Sequence, residues 1–219
     1  MEPLGLVLAA VGGALGGAAD RLATRWPEHD EEHAPGRAID WRTLVCALVG
    51  VAVVWLLLYR IVDPGPEGDV DPLAVAIFGA WFATLVVGLA TDLDQRVLPD
   101  VLTLPVVPVA LAYAVSGQNP FVGGDWGLAI VAAIAIPAVL YLPSIPFGAG
   151  AFGMGDVKFL VGMGLLLGAE RALTATLAGL LLAGVVLVVL LAARRITRRT
   201  YVPFGPFLIL GALWAVYVP

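Results

Sequence analysis

Eight runs of mostly apolar residues, each near or somewhat below the length of a bilayer crossing, constrain this chain more than any single motif does. A membrane-spanning helix needs about 20 consecutive, predominantly apolar residues. The runs fall at roughly 3–19, 43–62, 72–91, 101–116, 127–145, 157–169, 172–193 and 203–218. Inside hydrocarbon each backbone N–H and C=O must be satisfied by the chain itself, so such runs form helices. The expected fold is an all-α polytopic membrane protein of about eight transmembrane helices. The sixth run, V-K-F-L-V-G-M-G-L-L-L-G-A, has Lys158 near its start and is the shortest, so a partial or tilted helix is expected there. Composition agrees, with 60% of the 219 residues apolar and only 13% charged. No internal repeat or low-complexity linker divides the chain, which reads as one membrane-embedded domain over 1–219.

Orientation follows from the basic residues, because cytoplasmic loops retain Lys and Arg. With the N-terminus outside, ten of the twelve lie inside: Arg21, Arg25, Arg37, Arg42, Arg96, Lys158, Arg194, Arg195, Arg198 and Arg199. Arg60 and Arg171 remain outside, as does the acidic loop D-P-G-P-E-G-D-V-D. The first run has Glu2 and no basic residue before it, so it is expected to be an anchor rather than a cleaved signal peptide. A net charge of −5 with no basic patch argues against a nucleic-acid partner. The single cysteine, Cys46, permits neither an intrachain disulfide nor a cysteine-built zinc site. His29 and His33 lie in the loop E-H-D-E-E-H, whose spacing fits no zinc motif, so it is taken as solvated.

This topology carries two polar motifs to the same membrane face. One is T-D-L-D-Q-R-V-L-P-D, Thr91 to Asp100, and the other G-M-G-D-V-K, Gly153 to Lys158. An Asp buried in hydrocarbon costs about 2.5–3.5 kcal/mol on insertion scales, which makes each motif a functional candidate. Asp92, Asp94 and Asp100 alone would pass for loop charges, with Pro99 punctuating a turn. Asp156 is harder to explain that way, since glycines at 148, 150, 153 and 155 strip side-chain bulk from its surroundings. Two facing carboxylates can share one proton, so that one acts as base on water while the other donates to a scissile carbonyl. No Ser–His or Cys–His arrangement competes.

The pairing of D-L-D-Q-R-V-L-P-D with G-M-G-D-V-K, followed by P-F-G-P-F-L at 203–208, resembles the type IV prepilin leader peptidases, the bacterial branch of the G-x-G-D aspartic membrane proteases. The resemblance covers roughly 38–218, including I-D-W-R ahead of the second run, where the family often has an Ile-Ser-x-Arg-like sequence. It implies an inner-membrane endopeptidase that cuts the basic leader from prepilins or pseudopilins, whose hydrophobic helix lies in the bilayer, at the cytoplasmic face. On that carry-over Asp92 and Asp156 are the catalytic pair. Asp92 is preferred to Asp94 because in the related archaeal preflagellin peptidases the essential Asp also stands seven residues before the motif proline, here Pro99. Asp94, Arg96, Pro99, Gly153, Gly155 and Lys158 are supporting residues, Lys158 matching the family's G-x-G-D-x-K.

The sequence departs from the resemblance at 20–42. Many members carry two C-x-x-C pairs in the corresponding cytoplasmic loop and methylate the new N-terminus with S-adenosylmethionine, whereas this loop has no cysteine. The expectation is a peptidase needing no metal or cofactor, with S-adenosylmethionine relevant only if methyl transfer is retained. Two other classes compete: a transporter or proton-conducting protein using intramembrane acids, and a catalytically silent scaffold for pilus assembly. The oligomeric state is not legible in the sequence.

Overall fold

The computed structural model describes residues 3–28, 36–62, 70–147, 152–197 and 202–218. His29, His33, most of the acidic loop, Gly148, Gly150, Arg198 and Arg199 lie outside the described residues. Regular structure among the described residues is helical, with no strand. The helices are α1 (Pro3–Ala23), α2 (Trp41–Leu56, continued by a π-helical turn at Leu57–Val62), α3 (Pro72–Gln95), α4 (Asp100–Thr103), α5 (Val106–Val115), α6 (Trp126–Tyr141, continued as 3-10 helix through Leu142–Phe147), α7 (Met154–Ala192) and α8 (Gly205–Tyr217). All eight apolar runs are thus helical. Five helices are long and apolar enough to cross a bilayer by length and composition: α1, α2 with its π turn, α3, α6 and α7. The 100–115 segment and α8 are apolar but shorter.

Backbone contacts divide the chain into two compact units, residues 1–109 and 110–219. In the first, α1 packs on α2 and both pack on α3. Glycines set the α1–α2 approach: a methyl added at Gly12 would lie 2.7 Å from the Gly50 carbonyl oxygen, and one at Gly16 would collide with the Cys46 carbonyl. Lipid is as apolar as leucine, so close packing of small residues replaces the hydrophobic effect in joining such helices. Between α1, α2 and α3 lies a cavity of about 350 Å³ lined by apolar side chains, among them Leu15, Val53, Phe82 and Val86.

In the second unit α7 packs against both α6 and α8. The sixth and seventh runs form one element of 39 residues that is broken at Gly168, where φ is 75° and ψ 175°. Only glycine occupies that region readily. The break leaves the Leu166 carbonyl outside the helical ladder, and buried Asn119 donates to it from Nδ2 at 3.0 Å. Beyond the break, Arg171 donates to the Ala215 carbonyl at 2.7 Å and to that of Val218, closing the C-terminal end of α8. Its guanidinium lies 4.9 Å from the centre of the Phe121 ring.

Candidate active site

The first motif ends α3. Asp71 caps the helix start, accepting from Leu73 N–H at 2.9 Å, and Pro72 opens the first turn, where a missing N–H costs nothing. The far end stops at Arg96, which takes a left-handed conformation with φ 59° while its N–H bonds to the Asp92 carbonyl at 3.0 Å. D-L-D-Q therefore forms the last helical turn. Asp92 and Asp94 are both buried, 5% and 6% exposed. Two residues apart on a helix, their side chains point about 200° apart.

Asp94 is drawn into an ion cluster. Its Oδ1 accepts from Arg37 Nε at 2.7 Å and from Arg42 Nη1 at 3.1 Å. Arg37 also reaches Asp20 at 2.5 Å and Asp40 at 2.6 Å, while Arg21 and Thr43 hold the other oxygen of Asp20. Among the described residues three carboxylates thus meet three guanidiniums. Burial alone would pull the Arg37 pKa down, but its hydrogen bonds and ion pairs with Asp94 and Asp20 outweigh this and leave it raised. Asp40 doubles as the N-cap of α2, accepting from Arg42 N–H at 2.8 Å. Gln95 adds a second tie, donating to the Ala23 carbonyl at 3.0 Å. The cluster also explains why α1 runs to Ala23, beyond the apolar run that ended near 19: Asp20, fully buried, has the partners that permit it.

Of the other residues in this motif, Arg96 and Asp100 are exposed and Pro99 is buried. The Pro99 carbonyl accepts from Leu102 N–H at 3.0 Å and so starts α4. Sequence reasoning missed Asp20 and Thr43, read Arg21, Arg37 and Arg42 as markers of orientation, and met Asp40 and Arg42 within I-D-W-R without their partners. The available signal was the presence of both acidic and basic residues in the segment between the first two runs.

The second motif begins α7. Gly153 is the N-cap, and Asp156, 8% exposed, stands at the third helical position. Its carboxylate turns back towards the helix end, with Oδ2 beside Gly153. A methyl at Gly153 would come within 3.2 Å of Asp156 Oδ2, so this glycine makes room for the carboxylate. The partial positive charge of a helix N-terminus complements an acid there. Lys158 is half-buried one turn into the same helix. The third motif meets the second: the Phe152 ring packs edge-on against Phe204 of P-F-G-P-F-L, with ring centres 5.7 Å apart. Gly155 is half-buried in the first turn. No group of three or more His, Cys, Asp or Glu suited to a metal ion occurs among the described residues.

Residues 80–189, half of the chain, match the model of the type IV leader peptidase family. The chain belongs to that family. The matched span contains both D-L-D-Q-R and G-M-G-D-V-K. The type IV leader peptidase relatives include the "Type 4 prepilin-like proteins leader peptide-processing enzyme" of Escherichia coli O78:H11, 33% identical over 153 residues, which are 67% of this chain and 52% of that protein. A "Prepilin leader peptidase/N-methyltransferase" of Burkholderia pseudomallei is 31% identical over 147 residues, 67% of this chain and 46% of its own length. One of the same name from Xanthomonas campestris is 30% identical over 128 residues, 58% of this chain and 44% of its own. The chain spans about half the length of the curated relatives it matches. No solved structure matches it.

Proposed function

We propose that this chain is a multi-pass aspartic endopeptidase of the inner membrane that cleaves the basic leader from type IV prepilins or pseudopilins, with Asp92 and Asp156 as its catalytic acids. The observation that carries the reading is a buried carboxylate at a helix end in each of the two family motifs, Asp92 and Asp156. Asp94 is a weaker candidate, since Arg37 and Arg42 already engage its Oδ1. Cys46, the sole cysteine, is fully buried in α2 and unsuited to attack a peptide.

In the proposed reaction the ionised member of the pair takes a proton from water as the water oxygen adds to the scissile carbonyl. The protonated member donates to the carbonyl oxygen. Collapse of the tetrahedral adduct breaks the C–N bond, and the proton taken from water passes to the leaving amine. The reaction calls on no metal or cofactor, and the proposal is confined to peptide hydrolysis. The relatives' names supply the prepilin class of substrate.

The test is cleavage by the purified full chain, in lipid nanodiscs, of a peptide with a basic leader, a glycine and an apolar helix. Cleavage without added metal or nucleotide is expected, and Asp92→Asn and Asp156→Asn should each abolish it while remaining folded. An active Asp92→Asn beside an inactive Asp94→Asn would transfer the role to Asp94. Activity lost to a chelator and restored by zinc would replace the aspartic mechanism altogether.

The same reading puts both motifs at the cytoplasmic face, with the N-terminus outside, because that arrangement keeps ten of twelve basic residues inside. Cysteines introduced after residues 96 and 152 should both react only with reagent supplied from the cytoplasm. Labelling from opposite sides would separate the proposed pair and end the model.

A further inference from the structure

We infer that Arg37 and Arg42 are positioning residues for the proposed peptidase: by gripping Asp94 they fix the last turn of α3 and so set the direction in which Asp92 is presented. The inference rests on the peptidase reading for its catalytic consequence and on the geometry of the first unit for its cause.

The last turn of a helix lacks intrahelical partners for its final carbonyls and frays unless something holds it. Here the turn holding Asp92 is held from one side. Arg37 and Arg42 converge on Asp94 Oδ1 from residues 57 and 52 positions away in sequence. Gln95, the next residue, donates to the carbonyls of Ala23 and Pro27. Asp92 lies about 200° round the helix from Asp94, so the grip acts on the side of the helix away from the proposed reacting acid.

The grip is itself anchored. Arg37 spans Asp20 in α1, Asp40 at the start of α2 and Asp94 in α3, so a single guanidinium ties three helix ends. Only a planar fork with several donors can do this, and lysine, a single ammonium on a flexible stem, cannot reach all three at once. Matched in number, the cluster's charges leave Asp94 with little net field to offer a basic leader. Its role is mechanical, and attraction of the leader falls to other acids.

The experiment pairs cleavage kinetics with hydrogen–deuterium exchange across residues 91–96, on the full chain in nanodiscs. In folded Arg37→Gln, kcat should fall by about 100-fold with KM changed less than about twofold, the signature of a displaced reacting group rather than lost binding. Amide exchange over 91–96 should rise by about tenfold or more as the turn loosens. Arg37→Lys should recover only part of kcat. If Arg37→Gln fails to fold, the charge-balanced double variant Arg42→Gln/Asp94→Asn removes the same grip and should show the same two changes.

Exchange over 91–96 that stays at the wild-type rate in these variants overturns the inference. So does a kcat per folded molecule equal to wild type. If the wild-type chain cleaves nothing, the peptidase reading and the catalytic consequence fall together, while the exchange result still decides whether the arginines hold the turn.

Discussion

The end of α3 and the start of α7 each bury an aspartate near a helix terminus, and they tolerate it by opposite means. At α3 the charge of Asp94 is met by two arginines in a cluster that reaches across three helices. At α7 Asp156 is accommodated locally, by its place in the first turn of its own helix and by the missing side chain of Gly153. A buried ion cluster is stable only when complete, because losing one partner leaves its opposite uncompensated. A carboxylate at a helix N-terminus draws on backbone dipoles that no substitution elsewhere removes. The first arrangement resists movement; in the second, among the described residues, the acid is held within its own turn.

The largest effect that could break this comparison is on stability in the first unit. Asp20→Ala leaves Arg21 and Arg37 without their shared carboxylate and should cost about 3–5 kcal/mol, as removal of one partner from a buried pair does. Thermal unfolding in nanodiscs would show it as a large drop in midpoint or as loss of folded protein. Asp156→Asn should cost no more than about 1 kcal/mol, the scale of a charge at a helix N-terminus. Equal losses in the two variants would mean that both ends are held in the same way.

The smallest expected effect is at Gly153. Alanine there would set a methyl against Asp156 Oδ2 at 3.2 Å, crowding the carboxylate while leaving the rest of α7 untouched. Cleavage should fall by about tenfold or more for a displacement of a fraction of an ångström. The unfolding midpoint should hardly move. A Gly153→Ala protein with full activity would show that the position of the Asp156 carboxylate is not set by this contact.

Much of the architecture was legible because bilayer length and apolar continuity are properties of the sequence itself. Even the weak sixth run is marked: a partial or tilted helix is expected there, and its boundary with the seventh falls at Gly168, one residue from the expected end. Five helices reach spanning length where eight crossings were expected, since the sixth and seventh runs are joined in α7 and the fourth and eighth are short. The ion cluster was not legible. Periodicity places Arg37 in a polar segment but says nothing of which carboxylate, 57 residues on, it will meet. Asp20 was read as lying past the helix because a charge counts against an apolar run until its partners are known. The choice between Asp92 and Asp94 likewise rested on spacing to Pro99 alone. The structure adds a reason of another kind, in the two guanidiniums on Asp94.

The break in α7 governs how force passes along the molecule's longest element. A continuous helix of 39 residues would act as a torsionally stiff rod, so that twisting one end would turn the other. At Gly168 the rod is interrupted by a joint, and the Leu166 carbonyl is handed to Asn119 instead of to the next turn. The Asp156 segment, packed on α6 where Gly164 meets Ala133, is thereby torsionally separated from the far segment, where Gly179 and Gly211 bring α7 and α8 together.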